Sequence, residues 1–382
     1  GAVFFLFITA RADDGQEDMR ARASFLKAKA AAMEYAAQAN DASSSAVGPQ
    51  VEAHIVASSS DVVFAYPHAT LQIGDELVIG TAKEEPGHII VFPDLNDLGR
   101  YTVIPTPGFK NLAEAAYDPI NKKVYFASMR LDNQHFEVLS LDPATLVWAP
   151  VFEFKAVQNV GLSTIQTDGV FVYAGTQSTP AYLIKTRIAD WSLAGEIMFS
   201  DLPGFHSSKL YTYSDRSEWY VNTFSIPTVF FKVNPADFTY TSTTLAEGGD
   251  VTDDVYFRPM TEKGGLFYEV SENYFGLEVI DTATMSATHY LAPGSYGLFS
   301  NGTDLYSLDA HDGQIIKYPK FQIQKPVVIN LPDKHRVNEW FRTSSGKTFF
   351  TDFSNPSAIY QYVIVRPKSP IGSYSWPACR YR

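Results

Sequence analysis

The chain has 382 residues, enough for one large closed body or two smaller ones, and a formal net charge of −12, which weighs against a phosphate backbone as partner. Aromatic residues make up 14% and charged residues only 19%, a balance that excludes a disordered or coiled-coil chain overall. The single cysteine, Cys379, excludes an intrachain disulfide and a cysteine-based metal site.

Residues 1–12, GAVFFLFITARA, open on an apolar run. Two readings fit it. One is the rear of a secretory signal peptide, with Ala10-Arg11-Ala12 as its cleavage site; the other is a retained docking segment that buries Phe4, Phe5, Leu6, Phe7 and Ile8 against a partner. The missing basic stretch ahead of the run favours the docking segment. The run is about half of the roughly 20 residues that a membrane-crossing helix needs, so no transmembrane span is expected.

Residues 13–40 carry the pattern of an Ala-rich amphipathic helix. Met19, Ala23, Leu26, Ala30, Met33 and Ala37 follow one another at steps of 4, 3, 4, 3 and 4, a seam of about three heptads. Arg20, Arg22, Lys27, Lys29 and Glu34 fall off that seam. The seam suits a contact between copies or with other subunits, and it equally suits a helix lying on its own domain. Residues 41–50, DASSSAVGPQ, form a small-polar linker.

From residue 51 to 365 one short apolar motif returns seven times. Its copies are ELVIGT (76–81), VYFAS (124–128), VFVYAGT (170–176), EWYVNT (218–223), LFYEVS (266–271), LYSLD (305–309) and TFFTDF (348–353). Anchored on Val78, Tyr125, Val172, Tyr220, Phe267, Tyr306 and Phe349, the steps are 47, 47, 48, 47, 39 and 43 residues. β-Branched and aromatic residues ending in a small or polar one suit a buried strand. A second motif keeps step: DLNDL at 94–98, DPATL at 142–146, RIADW at 187–191, NPADF at 234–238 and DTATM at 281–285. An opening Asp or Asn that bonds its own backbone, often followed by Pro, makes the tight turn between two outer strands.

A period in the forties with several strands per unit predicts an all-β chain, a seven-bladed β-propeller with an N-terminal apolar segment and α-helix. Blades fall at about 69–108, 109–156, 157–204, 205–250, 251–294 and 295–336. The remainder, 337–365, holds three strands, and the stretch near 51–66 supplies the fourth, closing the ring between the chain's two ends. A six-bladed ring with irregular extras is the alternative, because one step is short. Over roughly 51–365 the repeats resemble the broad YVTN/quinoprotein-like class of seven-bladed propellers. The resemblance implies an architecture and no particular activity. Neither a Gly-His and Trp-Asp pair per blade nor a Kelch double glycine recurs.

No catalytic signature is present: no G-x-S-x-G, H-E-x-x-H, P-loop or G-x-G-x-x-G after a strand. His88 and His135 lie 47 residues apart, but the series stops after two and reads as solvated loop. Glu84-Glu85, Asp253-Asp254 and the DAHDG run at 309–313 read as turns first and as a structural cation site second. No cofactor is expected. Aromatics near strand ends, Tyr211, Tyr213, Tyr274, Phe275, Tyr296 and Trp340, suit blade packing, or a sugar or protein partner. Residues 366–382 form an extended arm that Trp376 could pin to a neighbour.

The candidate interaction residues are therefore Phe4, Phe5, Phe7, Met19, Leu26, Met33 and Trp376. The expected function is a non-enzymatic structural or recognition protein. Its N-terminal helix would attach the disc to protein subunits of a larger assembly, with homo-oligomerisation through that helix. A virion or phage tail component, or a cell-surface appendage, fits this layout, and the location is then extracellular or virion. The partner could be a cell-surface glycan or protein; no nucleic acid is expected. The alternative is a secreted propeller enzyme, a hydrolase, lyase or lactonase acting on a glycan or small ester.

Overall fold

The computed structural model describes residues 50–58, 67–81, 86–130, 136–154, 161–178, 180–199, 210–214, 219–223, 229–245, 257–263, 265–271, 276–291, 297–300, 303–309, 314–330, 337–342, 347–352 and 358–365. The apolar segment, the expected helix and the C-terminal arm, and with them Phe4, Phe5, Phe7, Met19, Leu26, Met33 and Trp376, lie outside the described residues.

Strand β1 (Gln50–Ser58) comes first in the chain and last in the ring. The first sheet is β2 (Pro67–Ile73), β3 (Glu76–Thr81), β4 (Gly87–Phe92) and β5 (Thr102–Thr106); the second is β6 (Phe109–Asp118), β7 (Lys123–Arg130), β8 (Phe136–Asp142) and β9 (Val147–Phe154). The third is β10 (Gly161–Thr167), β11 (Phe171–Gln177), β12 (Ala181–Arg187) and β13 (Leu193–Phe199); the fourth is β14 (Leu210–Ser214), β15 (Trp219–Thr223), β16 (Val229–Val233) and β17 (Tyr240–Thr244). The fifth is β18 (Phe257–Lys263), β19 (Leu266–Ser271), β20 (Gly276–Asp281) and β21 (Ser286–Leu291); the sixth is β22 (Gly297–Ser300), β23 (Leu305–Asp309), β24 (Gln314–Tyr318) and β25 (Val327–Asn330). The seventh is β26 (Val337–Arg342), β27 (Thr348–Asp352) and β28 (Ala358–Val365), completed by β1.

Seven four-stranded antiparallel sheets decide against six blades. Their first strands touch in succession, β2 with β6, β6 with β10, and onward to β22 with β26, and β26 touches β2. The ring is closed. Its seal is the β1–β28 ladder, in register from Gln50 opposite Val365 to Ser58 opposite Ala358 with one bulge after Ile55. Closing on a strand from the other end of the chain covers the edge of β28 and gives the seventh sheet four strands like the other six. The short 39-residue step between Phe267 and Tyr306 comes largely from shorter strands: β20, β21 and β22 have 6, 6 and 4 residues, against 7, 8 and 7 in β8, β9 and β10.

Apolar residues on both faces of a strand let each sheet pack against two neighbours. On β7, Val124 and Phe126 join the core shared with the first blade, while Tyr125 and Ala127 join the core shared with the third. Tyr173 faces the fourth blade, Tyr220 the fifth and Tyr268 the sixth, all buried. The structural counterparts of Tyr125 and Tyr220 are thus Tyr173 and Tyr268, one residue on from the sequence anchors Val172 and Phe267. A one-residue shift exchanges the two faces of a strand.

The Thr or Ser that closes the repeated motif on the second strand has a structural role in the first three blades. The buried hydroxyls of Thr81 and Thr176 accept hydrogen bonds from the backbone N–H of His88 (2.9 Å) and Tyr182 (2.8 Å), and Ser128 donates to the Glu137 carbonyl (2.7 Å). This latch sets His88 within β4, half-buried and level with Glu137. The solvated-loop reading of His88 is therefore corrected: it is a strand residue, and its 47-residue spacing to His135 does not mark equivalent positions. His135 itself lies outside the described residues.

The predicted Asp turns form as their chemistry requires. Asp94, Asp142, Asn234 and Asp281 each accept, through a side-chain oxygen, the backbone N–H two residues on, at 2.8–3.0 Å. In four of these turns the closing apolar residue adopts a left-handed backbone: Leu146 (φ 58°), Trp191 (φ 54°), Phe238 (φ 59°) and Met285 (φ 53°). Such a conformation costs a residue with a Cβ roughly 1–2 kcal/mol. Packing offsets that cost, because each of these side chains reaches back onto the preceding blade. Leu146 joins the first blade's core, Trp191 meets Tyr125 edge-on at 5.5 Å, Phe238 lies 6.2 Å from Tyr173, and Met285 packs at Tyr220.

This arrangement predicts an inverted substitution order at position 191. Trp191→Gly loses the ring but relieves the backbone; Trp191→Ala loses the ring and keeps the strain. The glycine variant is expected to be the more stable of the two by about 1 kcal/mol in urea unfolding. An alanine variant equal to or better than glycine would show that the left-handed turn carries no strain.

Candidate interaction surface

Antiparallel connectivity gives the disc two unlike ends. One end carries the turns between first and second and between third and fourth strands of each blade. The other carries the connections between second and third strands and those between blades. Gln50 and Val365, paired in register, both lie at the turn end.

The turn end is lined with carboxylates held in their charged form. The Lys123 ammonium, 2.8 Å away, holds Asp142 below the usual carboxylate range, helped by the N–H groups of Ala144 and Thr145. The hydroxyl and N–H of Ser192 lower Asp190, those of Thr239 lower Asp237, and the N–H groups of Thr284 and Ala283 lower Asp281. Lys317, at 2.7 Å, lowers Asp304 and is itself raised by it. Native carboxyls with depressed pKa values bind fewer protons than the unfolded chain does. Their contribution is complete above the unfolded value near 3.9 and is lost as pH falls through the lower native values. Stability is expected to drop on acidification below about pH 4, and Asp142→Asn should flatten that drop in urea midpoints measured across the acid range. An unchanged pH slope in Asp142→Asn would remove the Lys123–Asp142 pair from the account.

Large apolar side chains stand exposed at the same end. Tyr101, Val147, Leu193 and Tyr240 sit at the start of the outermost strand in the first four blades, and Ile120 and Val170 sit on the inner turns of the second and third. Ile120 rests on Gly169 of the next blade, where a Cβ would approach it to 2.4 Å, and Asn121 donates to the Gly169 carbonyl at 3.0 Å. Of the large apolar residues exposed among the described ones, only Met198 lies away from this end.

Between the fifth and sixth blades the turn end opens into a groove of about 450 Å³. Its walls are Leu266, Tyr268, Val279 and Tyr290 on one side and Phe321 and Ile323 on the other, with Gln322, Gln324 and Lys325 at the lip. The sixth blade lacks the Asp turn. Residues 319–326 replace it, starting in a short 3-10 turn, Pro319–Phe321. The Lys320 N–H bonds Asp304 at 2.9 Å, and left-handed backbone at Lys320 and Phe321 lays the Phe321 ring 5.2 Å from Tyr268. Phe321 thus does for the fifth blade what Met285 does for the fourth.

The turn end thus presents exposed apolar side chains among charged carboxylates. Among the described residues no three His, Cys, Asp or Glu side chains come together as a metal centre would need. Among the described residues, buried Glu278 and half-buried His289 lie 2.8 Å apart, with Glu278 at a strand position where the second, third and fourth blades carry Leu139, Ile184 and Phe231.

Of the aromatics read from sequence, Tyr274, Phe275 and Tyr296 lie outside the described residues, and of Tyr211, Tyr213 and Trp340 only the strand backbone is described. Glu84-Glu85, Asp253-Asp254 and most of DAHDG also lie outside them. Sequence reasoning missed the groove residues Tyr268, Tyr290 and Phe321 and the row Tyr101, Val147, Leu193 and Tyr240. A signal for that row existed, since each member follows the opening residue of a turn motif by five to seven positions.

No family model and no curated protein matches the chain. Solved structures do. The chain is similar to the WD40 β-propeller domain of Doa1, with a TM-score of 0.57 at 12% identity over 83% of this chain and 98% of that one. It is also similar to a chain of the mitotic checkpoint complex, with a TM-score of 0.59 at 11% identity over 81% of this chain and 91% of that one. At such identities the likeness is one of fold, reached here without the Gly-His and Trp-Asp pairs.

Proposed function

We propose that the protein is a protein-interaction scaffold, a rigid disc whose N-terminal region, residues 1–40, joins it to protein subunits of a larger assembly. The observation that carries this reading is the turn end. Exposed Tyr101, Ile120, Val147, Val170, Leu193 and Tyr240 and the aromatic groove share it with Gln50 and Val365, from which the terminal segments depart. Exposed apolar surface concentrated on one end of a closed body suits a protein partner. One solved neighbour is a chain of a multi-protein complex, which agrees in kind.

A virion or phage tail component is the concrete form, and a cell-surface appendage is the next. The apolar residues Phe4, Phe5 and Phe7 are the anchor in either. Co-sedimentation with the particle or envelope fraction of the native source tests this. The wild-type chain should sediment with the particle, and a chain with Phe4→Ser, Phe5→Ser and Phe7→Ser should remain in the supernatant. A wild-type chain found wholly free of particles and envelopes would refute the assembly role.

A further inference from the structure

The groove between the fifth and sixth blades differs from the rest of the turn end in its charge. Resting on the scaffold reading, we infer that it takes a short acidic and aromatic segment of the protein partner. One bulky apolar side chain of that segment lies between the walls, and a neighbouring carboxylate lies over Lys325 and Lys320. The exposed row of blades one to four stays free for the same partner.

The walls set the anchor. Leu266, Tyr268, Val279 and Tyr290 lie on the face of the fifth blade that meets the sixth, with Tyr268 opposite Val279 and Tyr290 opposite Leu277. The sixth blade meets this face with Phe321, Ile323 and Val328, and its outer strand β25 is only four residues long. Leu266, Val279, Tyr290 and Phe321 remain half-buried, so apolar surface is left open between the blades. A volume of about 450 Å³ falls in the range of pockets that enclose a drug-sized ligand. One large side chain with its flanking main chain is a guest of that size. The walls are aliphatic and aromatic, and the amides of Gln322 and Gln324 and the Lys325 ammonium sit at the lip. That order suits an apolar anchor with a polar main chain above it better than a sugar, which needs polar partners along its length.

Charge sets what flanks the anchor. From Gln314 to Asn330 the sixth blade carries Lys317, Lys320 and Lys325 and no acid. Asp304 holds Lys317 at 2.7 Å. Lys320 and Lys325 are exposed, and neither ammonium has an ion-pair partner among the described residues. On the other wall the acids of β20 are Glu278 and Asp281. Glu278 alternates with Leu277 and Val279 and so faces away from the groove. Asp281 stands opposite Leu266, its carboxyl engaged by the N–H groups of Ala283 and Thr284. A negative guest is thereby turned towards the sixth blade. Asp94, Asp142, Asp190 and Asp237 on the other blades repel it, which confines it to the groove.

The probe is an array of peptides of the form Ala-X-X-Z-X-X-Ala, where Z is Trp, Phe, Leu or Ser and X is Glu, Gln or Lys, read with the full-length chain. The wild type should retain Trp- and Phe-centred peptides with Glu flanks about tenfold better than Ser-centred or Lys-flanked ones, with the flank preference weakening in high salt. Lys320→Glu with Lys325→Glu should reverse the flank preference to Lys and keep the aromatic centre. Tyr290→Ser should lose the centre preference; should that variant fail to fold, the lysine reversal, at exposed positions outside the walls, still decides. Retention blind to the centre residue, or a flank preference unmoved by the lysine reversal, would overturn the inference. So would a wild type that retains no peptide, or one that instead binds oligosaccharides on a glycan array through Tyr290, which would make a sugar the occupant. A chain that sediments with the particle yet ignores the array loses only the groove's assignment; one that reads the array yet stays free of particles loses only the assembly role.

Discussion

A chain beginning at Gln50 is expected to fold to the same closed ring as the full protein, whereas one beginning at Ser59 should be much less stable. The nine residues between those starting points are β1, the outer strand of the seventh blade. Eight cross-strand pairs join β1 to β28. At roughly 0.2–1 kcal/mol per pair their loss costs about 2–8 kcal/mol. Deletion also leaves β28 as an open edge, so the shorter chain should aggregate on heating. Denaturant midpoints of the two deletions, measured side by side, read the difference. Equal midpoints would mean that the seventh blade stands on three strands and that the ring needs nothing from the N-terminal side.

The second large effect is at Trp219. Its ring is fully buried and stacks on Tyr173 at a centroid distance of 4.0 Å across the third and fourth blades. Trp219→Ala should cost about 3–5 kcal/mol, since the surrounding Val221, Val229 and Phe231 are fixed by their own strands and cannot collapse into the space. The indole N–H, however, has no hydrogen-bond partner among the described residues. A buried donor without a partner costs about 1–3 kcal/mol. Trp219→Phe removes that donor and keeps an aromatic face on Tyr173, so it should lie within about 1 kcal/mol of wild type. A phenylalanine variant as damaged as the alanine one would show that the N–H is satisfied and that its bond, rather than the stack, fixes the interface.

Much of this architecture was legible in the sequence because two independent signals share one period. The buried second strand and the turn motif keep step through five successive units, and in the four that open on Asp or Asn the turn oxygens bond where their chemistry places them. The seal by a strand near residue 55 was also legible, since 337–365 has only three strands to offer.

The phase of the repeat was not. In VFVYAGT every residue is suited to burial, and a strand packed on both faces carries no polar alternation to say which side meets the next blade. Val172 and Phe267 were the natural anchors for that reason, yet Tyr173 and Tyr268 hold the positions of Tyr125 and Tyr220. The sixth-blade turn was hidden because it lacks the opening Asp, and Phe321 reaches its place through a left-handed backbone that sequence does not announce.

The groove was illegible for a further reason. Tyr268, Tyr290 and Phe321 come from two blades and meet only when those blades pack. The exposed row is different, since its members occupy a repeated slot after each turn and sequence alone could have singled them out. The candidate contacts read in the terminal segments, Phe4 to Met33 and Trp376, belong to residues outside the described body, and their roles rest on the tests given for them.

The most direct test of ring closure is amide hydrogen exchange in the full chain, comparing residues 50–58 with residues 358–365. Joined as one ladder, the two stretches should share the same slow exchange and lose it together at the global unfolding transition. Fast exchange over 50–58 while 358–365 stays protected would leave the ring unsealed and contradict the closed seven-bladed disc.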